Sequence, residues 1–324
     1  MKGSYKVKVS RRRSTTFEFT VRRNITIVRG DSGTGKTTLY DMVADHTRLG
    51  ERSGVTVQCE RPCIALTDID WRNQLARTSN SIVFIDEGLE ELPTEEFANA
   101  VNGSSNYYVI FTRCELPHLP YSVNEVYRIK TSGKFHALVP IYKEQEGHRY
   151  SLSRAKANKD FAYLLTEDSR SGLQFFEARF HGGELACESS HGNGNIMRWL
   201  DDHKGETVFV IADGAAFGPY AERVLMFQRE HPHEVVVCLP ESFEWLLLAS
   251  GVVKMEGLAE ILSGPENYVR SEKFESWEQF FTAALRKATD GGTLSYKKGK
   301  LADGFMAPAN ADKVMALIAF RNVR

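Results

Sequence analysis

Apolar and polar residues alternate strictly in two runs near the start of the chain, residues 5–9 and 17–21. A basic turn separates the two runs, and together they predict a β-hairpin. Further along, the apolar residues form short unbroken runs, at residues 25–28, 82–85 and 107–111. Stretches with apolar residues on one helical face lie between them, as at residues 37–46. Unbroken apolar strands that alternate with helices indicate a parallel sheet covered by helices on both faces.

A second series of strands and helices follows a polar, charged stretch at residues 143–160. Its strand-like runs are residues 161–165, 185–187, 207–211 and 234–239. Helical patterns separate these runs and continue towards the end of the chain. We therefore predict an α/β protein with two domains, one at residues 1–145 and a second, Rossmann-like one with C-terminal helices at residues 158–324.

The composition narrows the classes of function. The formal net charge of −1 over 324 residues is less basic than is usual for a dedicated nucleic-acid-binding protein, although local basic clusters leave a nucleic-acid groove open. Charges interrupt every apolar stretch before it could span a bilayer, and residues 1–10 lack the apolar core of a signal peptide, so we expect neither a membrane protein nor secretion. The five cysteines form no Cys-x-x-Cys pair, which disfavours a disulfide framework and a zinc site and fits a cytoplasmic location.

The most specific motif is GDSGTGKT at residues 30–37, which satisfies the phosphate-loop pattern G-x-x-x-x-G-K-[ST] in full. It follows an apolar strand and opens an amphipathic helix, and glycines let the backbone approach a phosphate closely there. We expect Lys36 to reach the β- and γ-phosphates and the Thr37 hydroxyl to bind Mg²⁺. The predicted nucleotide-binding residues are Gly30, Asp31, Ser32, Gly33, Thr34, Gly35, Lys36, Thr37 and Thr38.

Two adjacent acids, Asp86 and Glu87, end the apolar run at residues 82–85. Ligands of an open parallel sheet bind at the carboxyl ends of its strands, which places these acids at the same edge as the phosphate loop. Asp86 is expected to hold the Mg²⁺ through water, and Glu87 to orient and deprotonate the attacking water. Arg113 follows the run at residues 107–111, and its role as a γ-phosphate sensor or as a solvent-facing side chain stays open.

Through the hairpin, the phosphate loop and the Asp86–Glu87 strand, residues 1–142 resemble a compact ABC-type ATPase domain of the kind found in SMC-like and OLD-like proteins. The resemblance implies ATP rather than GTP, with Mg²⁺, and hydrolysis in which Lys36 and Glu87 are catalytic. The segment has no Asn-Lys-x-Asp motif of GTPases and no Leu-Ser-Gly-Gly-type signature, the element with which such ATPases dimerise, so a homo-oligomer stays open. A small-molecule kinase is the rival class, and Glu87 argues against it because a water-activating glutamate would promote wasteful hydrolysis.

Acidic residues also follow the strand-like runs of the second domain. Glu167 and Asp168 follow the first run, Asp213 the third, and Glu241 and Glu244 the fourth. Parallel strands would gather these acids along one edge, where hard oxygen ligands suit Mg²⁺ or Mn²⁺, and two such ions could activate water against a phosphodiester. The alternative is that the acids open helices and interact with the positive end of the helix dipole.

This arrangement resembles the Toprim fold, and a P-loop ATPase followed by a Toprim domain is the order of OLD-family nucleases, which act in defence and on mobile elements. The resemblance implies that Glu167, Asp213 and Glu241, or Glu244 in place of Glu241, hold a second Mg²⁺ or Mn²⁺ site. It also implies that a lysine near Lys297 assists the attacking or leaving oxygen.

Two departures from the Toprim pattern keep a second hypothesis open. Asp168 stands where the pattern has glycine, and Ala215 stands where it has a second aspartate. The first hypothesis is an ATP-gated, metal-dependent nuclease. The second is an ATPase switch whose C-terminal domain binds a protein or ligand without catalysis. The expected partners are accordingly a nucleoside triphosphate together with a nucleic acid or a protein.

Overall fold

A computed structural model describes residues 1–12, 14–31, 33–67, 70–144, 146–150, 160–183, 185–318 and 320. The chain divides into two compact units. The N-terminal unit consists of Met1–Ile141 with Ser263–Ser276, and the C-terminal unit consists of Tyr142–Leu262 with Trp277–Arg324. The sequence predicts two consecutive domains and does not predict that Ser263–Ser276 returns to the first one. The predicted limits at residues 145 and 158 both lie outside the described residues.

The N-terminal unit is built on a nine-stranded sheet. Its strands are β1 (Tyr5–Arg11), β2 (Thr15–Val21), β3 (Ile25–Arg29), β4 (Val55–Gln58), β5 (Cys63–Ala65), β6 (Ile82–Ile85), β7 (Tyr107–Phe111), β8 (Val126–Ser132) and β9 (Phe135–Pro140). Its first three helices are α1 (Lys36–Leu49), α2 (Trp71–Ala76) and α3 (Glu95–Val101).

The strand order in this sheet is β4-β1-β2-β9-β8-β3-β7-β6-β5. The strands β8, β3, β7, β6 and β5 are parallel neighbours, whereas β4, β1 and β2 form an antiparallel extension that begins with the predicted hairpin. Because β7 lies between β3 and β6, the carboxyl ends of these three strands meet at one edge. That edge carries the phosphate loop, the Asp86–Glu87 pair and Arg113.

Helix α1 covers the inner face of this sheet through Leu39, Met42 and Val43, which are fully buried at the spacing of one helical face. The inner positions of the hairpin, including Phe17 and Phe19, join them in one apolar core. The helix ends at Leu49, and the capping residue Gly50 has φ 58° and ψ −137°, a positive-φ conformation that glycine adopts at low cost. This packing fixes the axis of α1 and therefore the position of its N-terminus.

The C-terminal unit has a five-stranded sheet made of β10 (Arg149–Tyr150), β11 (Tyr163–Thr166), β12 (Ala186–Ser189), β13 (Val208–Ile211) and β14 (Val235–Cys238). The remaining helices are α4 (Ser171–Arg179), α5 (Ile196–Asp202), α6 (Gly218–Glu230), α7 (Phe243–Ala249), α8 (Leu258–Ser263), α9 (Trp277–Thr289), α10 (Asp303–Met306) and α11 (Pro308–Leu317).

The strand order in this second sheet is β10-β14-β13-β11-β12. The four strands β14, β13, β11 and β12 are parallel, and β10 pairs antiparallel with β14 at the edge. Thr166 lies opposite Ile211 in the register of β11 and β13, so the residues that follow these two strands leave the sheet side by side. Glu167 and Asp213 are thereby brought to the same edge.

Both units are mixed α/β with parallel-rich sheets, which confirms the fold class expected from the apolar patterns. The predicted hairpin is confirmed by the antiparallel register of β1 and β2. Val123–Glu125 form a short 3-10 turn that leads into β8. Among the described residues, no helix has both the length and the apolar character needed to cross a bilayer.

Candidate functional site

The phosphate loop has the backbone conformation that its glycines permit. Gly30, Gly33 and Gly35 all have positive φ, at 146°, 81° and 100°. A Cβ at Gly30 would lie 3.2 Å from the Thr34 hydroxyl oxygen, and one at Gly35 would lie 3.6 Å from the Phe17 ring. The positive φ would strain a side chain at either position, and at Gly30 the side chain would also crowd Thr34. Ser32, the remaining predicted loop position, lies outside the described residues.

Lys36 is the first residue of α1, and only 5% of its surface is exposed. Its Nζ donates hydrogen bonds to the backbone oxygens of Gly30 and Asp31, the latter at 3.1 Å. The ammonium group thus lies across the mouth of the loop, held by loop carbonyl groups that a phosphate oxygen would replace as partners. Thr37 and Thr38 follow it at the exposed N-terminus of the helix.

A cavity of about 120 Å³ lies over this loop. Its lining includes the loop residues, the helix start, and two side chains from other strands, Glu87 and Arg113. Arg113 Nη2 lies 3.2 Å from Glu87 Oε1, so these two side chains form an ion pair at the cavity wall. The structure therefore brings Arg113 to the predicted nucleotide site, which sequence had left undecided between sensor and surface residue.

The Asp86 carboxylate is near enough to Asp41 of α1 to affect its pKa, and Asp86 is not among the described residues that line the cavity over the phosphate loop. Partial burial raises the pKa of Asp41, and the nearby carboxylate of Asp86 raises it further. Asp41 is four residues after Thr37 and therefore on the same side of the helix. A hydroxyl group and carboxylates on one side of a helix start suit Mg²⁺, because this ion prefers oxygen ligands. The residues present fit the metal that the phosphate-loop motif implies.

The C-terminal unit contains a larger cavity, of about 380 Å³, at the carboxyl edge of its parallel strands. Its lining includes the acids Glu167, Asp168, Asp213, Glu244 and Glu278 and the base Lys298, among apolar walls such as Phe176 and Phe243. Glu167, Asp213 and Glu244 had been expected at this edge. Glu278, on α9, had not been found, because more than 60 residues separate it from Asp213 in sequence and no strand end precedes it.

Lys298 is placed in this cavity by a short turn pinned to α4. The backbone N–H of Gly299 donates to Ser171 Oγ at 3.1 Å, and Gln174 Nε2 donates to the Gly299 oxygen at 2.9 Å. Lys298 Nζ then lies 3.1 Å from Glu278 Oε1. The sequence predicts a lysine near Lys297 at this site, and Lys298 is the lysine that lines the cavity.

Two of the acids also make structural hydrogen bonds at helix starts. Asp168 accepts hydrogen bonds from the backbone N–H groups of Arg170 and Gly172, the latter at 2.7 Å, at the start of α4. Asp213 Oδ1 accepts a hydrogen bond from the Phe243 N–H at 2.9 Å, at the start of α7. Asp168 and Asp213 therefore both combine a helix-start hydrogen bond with a position in the lining of the cavity.

Burial dominates the electrostatics of the two central acids. It raises the pKa of Glu167 to about 8, and the carboxylate of Glu278 acts in the same direction. It also raises the pKa of Asp213 well above its usual range, with further contributions from the Glu167 and Glu278 carboxylates. Lys298 opposes the shift at Glu167, and the Phe243 N–H opposes the shift at Asp213. A bound cation would favour the ionised form of both acids.

Glu244 rather than Glu241 lies at this cavity within the described part of the chain. Glu244 is 3% exposed, and its Oε1 accepts a hydrogen bond from the Tyr296 hydroxyl at 2.6 Å. Across the described residues, no three His, Cys, Asp or Glu side chains are arranged to hold one ion as they stand. Binding of a divalent ion at this edge would therefore require the acidic side chains to move towards it.

Comparisons of the chain with protein-family models, with curated proteins and with solved structures gave no match.

Proposed function

We propose that this protein binds ATP with Mg²⁺ at the phosphate loop and hydrolyses it. The observation that carries the proposal is the loop itself: three glycines with positive φ, the start of a packed helix, and the Lys36 ammonium across its mouth. Backbone N–H groups at such a helix start favour an anion, and a lysine adds a full positive charge. The neighbouring strand ends add a carboxylate and a guanidinium group at the same cavity.

Each side chain has a role in this proposal. Lys36 would exchange its loop carbonyl partners for the β- and γ-phosphate oxygens, and the Thr37 hydroxyl and Asp86 would hold the metal. Bound Mg²⁺ would supply positive charge against the charge that develops on the phosphates. Glu87 accepts a proton from the attacking water, and its position at the cavity wall supports that role. Transfer to a small-molecule acceptor is the alternative at this site.

The test is nucleotide binding and phosphate release by the full chain. Lys36→Ala is expected to abolish ATP affinity, whereas Glu87→Gln is expected to retain binding and to lower turnover by about 10²-fold or more. Glu90→Gln is the matched control, because Glu90 is an exposed acid in the same loop and is not among the residues that line the cavity. Retained ATP turnover in Lys36→Ala would contradict the proposal, and phosphate transfer that exceeds release would favour a kinase.

For the C-terminal unit we propose metal-dependent hydrolysis of a phosphodiester. The observation that favours it is the meeting of Glu167, Asp213 and Lys298 in one cavity at the ends of two adjacent parallel strands. Mg²⁺ or Mn²⁺ at these acids would supply an activated water. Lys298 would then neutralise charge on a phosphate oxygen, leaving its present partner Glu278.

One observation favours the non-catalytic alternative for this unit. Ala215, which stands at the position of the second Toprim aspartate, is 2% exposed, and the preceding Gly214 is tightly packed. Because residue 215 is alanine, this turn does not provide the usual pair of acids. A carboxylate at this buried position would also be costly to ionise. In that case the unit binds a ligand or protein under control of the ATPase.

Cleavage of labelled DNA and RNA with Mg²⁺ or Mn²⁺, with and without ATP, separates the two alternatives. Glu167→Gln and Asp213→Asn are expected to abolish cleavage and to weaken Mn²⁺ binding measured by calorimetry. Comparing Glu244→Gln with Glu241→Gln decides which of these acids takes part, and the structure favours Glu244. If wild-type protein leaves every substrate intact and binds no Mn²⁺, the non-catalytic alternative replaces this proposal.

A further inference from the structure

One face of the N-terminal sheet carries exposed side chains across β4, β1, β2, β9 and β8. On β8, Arg128 and Lys130 are exposed while Ile129 between them joins the core. On β9, Phe135 and Ala137 are exposed in the same alternating way. Lys130 lies directly opposite Ala137 in the register of these two strands, so all four exposed side chains share one face.

The same face continues across the hairpin. Ala137 lies beside Glu18 of β2, and Glu18 lies opposite Lys8 of β1. Lys6, two residues before Lys8, is on the same face and lies 2.5 Å from Glu18. We call the outward positions of β1, β2, β4, β8 and β9 the open sheet face. Its charged side chains in the described chain are four bases, Lys6, Lys8, Arg128 and Lys130, and one acid, Glu18.

An exposed aromatic ring lies at the end of this basic surface. Phe135 is 58% exposed, the largest fraction for a large hydrophobic side chain in the described part of the protein. Lys134, in the turn before it, has its Nζ 5.8 Å from the centre of the Phe135 ring. The ring therefore offers a π-face to solvent beside Lys134, with Lys130 one diagonal position away on β8 and Arg128 farther along the same strand.

We propose that the open sheet face binds single-stranded nucleic acid, with a base stacked on Phe135 and phosphates contacted by Arg128, Lys130 and Lys134. The argument is charge complementarity combined with stacking: a strand of nucleic acid is an anion whose bases have exposed π-faces only when they are unpaired. The near-neutral net charge of the whole chain does not oppose this, because the charged side chains of this face are four bases and one acid.

Other occupants fit the surface less well. A peptide that adds a strand needs an unpaired strand edge, and the edge strand of this face is β4, which β1 and β2 separate from the strands that carry Phe135, Arg128 and Lys130. A membrane surface is gripped by several apolar side chains together, and this face presents a single large one. An acidic peptide would satisfy the charges but would gain little from the exposed ring.

The proposal is tested by measuring how tightly the full chain binds a labelled oligothymidylate. Fluorescence anisotropy reports the binding over a range of salt concentrations. EDTA is present so that no metal site contributes, and the Lys36→Ala variant reports any contribution of the empty phosphate loop. Arg128→Gln combined with Lys130→Gln is expected to weaken binding and to reduce the slope of log affinity against log salt by about 1.4, at about 0.7 per phosphate contact. Phe135→Ala is expected to weaken binding about tenfold while leaving the slope unchanged.

The matched control is Arg48→Gln combined with Arg72→Gln, which removes the same charge from the same unit away from this face. It is expected to leave both affinity and slope unchanged. Lys36→Ala is also expected to retain oligonucleotide binding, which separates this inference from the proposed ATPase.

Four results would overturn the proposal. They are no binding by the wild-type chain, equal loss in the control pair, no loss in Phe135→Ala, and equal or tighter binding of a duplex, of poly-glutamate or of phosphatidylserine vesicles.

Discussion

At the scale of single residues, neighbours decide what each ionisable group does. Asp168 and Asp213 both accept hydrogen bonds from helix-start N–H groups, and burial beside other carboxylates raises the pKa of Asp213 well above its usual range. Lys36 illustrates the same point, because its ammonium group donates hydrogen bonds to two carbonyl groups of the loop that it is expected to share with phosphate. Residue type alone does not fix these roles.

The buried acids predict how stability depends on pH. Burial raises the pKa of Glu167 from 4.5 to about 8, so its contribution to stability is fully present below pH 4.5 and is lost as pH rises through 8. In EDTA, the melting temperature is therefore expected to fall between pH 6 and pH 9, and to fall less in Glu167→Gln. Scanning calorimetry at matched ionic strength measures this. An equal fall in wild type and variant would show that Glu167 is not responsible.

Cys59 is expected to be the most reactive thiol at neutral pH. A hydrogen bond from Cys63 lowers the pKa of Cys59 to about 6, with help from the Arg61 N–H at 3.5 Å from its sulfur. The thiolate is the nucleophilic form, so at pH 7 iodoacetamide should label Cys59 faster than the exposed Cys114. Peptide mapping over time measures both rates. Cys63→Ala should remove the difference, and if it does not, another cause must lower that pKa.

At the scale of elements, the ends of strands and the turns that follow them position the chemistry. The exit of β13 packs against the exit of β14 through Gly214, whose N–H donates to the Pro240 oxygen at 2.6 Å. This contact holds Asp213 next to the start of α7. The pinned turn that carries Lys298 works in the same way on the opposite side of the cavity.

Replacing Gly214 by alanine is expected to destabilise the C-terminal unit. A Cβ there would lie 2.6 Å from the Leu239 oxygen and 2.9 Å from the Pro240 oxygen, so the backbone would have to shift. Overpacking of this kind costs about 1–3 kcal/mol. Gly194→Ala is the control, because its Cβ would meet only the Tyr220 ring at 3.8 Å. Denaturant unfolding of both variants measures the difference, and equal stability would contradict the crowding argument.

At the scale of the whole molecule, the chain returns to its first unit after most of the second is complete. The segment Ser263–Ser276 belongs to the N-terminal unit, where the Met1 amino group donates to Ser271 Oγ at 2.6 Å. Asn24 Nδ2 donates to the backbone oxygens of Phe274 and Glu275 at 2.8 and 3.2 Å. The N-terminal unit is therefore completed by residues that are distant in sequence.

Asn24→Ala is expected to loosen this segment. It removes two hydrogen bonds to partly buried carbonyl groups, which corresponds to a loss of about 1–3 kcal/mol. Hydrogen exchange followed by mass spectrometry should show faster exchange in residues 263–276 than in wild type. Asn73→Ala, which removes an exposed side-chain hydrogen bond in the same unit, should leave this exchange unchanged. Unchanged exchange in Asn24→Ala would show that other contacts hold the segment.

The sequence by itself determined the elements and the phosphate loop. Apolar periodicity and glycine placement are local properties, so the hairpin, the unbroken parallel strands and the helix that begins at Lys36 could be predicted from neighbouring residues. The positions of Asp86, Glu87, Glu167 and Asp213 at strand ends followed from the same reasoning, because parallel strands share one carboxyl edge.

Tertiary structure alone decided the rest. Glu278 on α9 and Lys298 in the turn after it line the second cavity. Arg113 and Glu87, which follow the adjacent strands β7 and β6, form an ion pair at the first. The choice of Glu244 over Glu241 depends on how α7 is oriented, and the open basic face depends on the insertion of β8 and β9 between β2 and β3. These arrangements result from packing between segments far apart in the chain, and no local pattern encodes which distant segments meet.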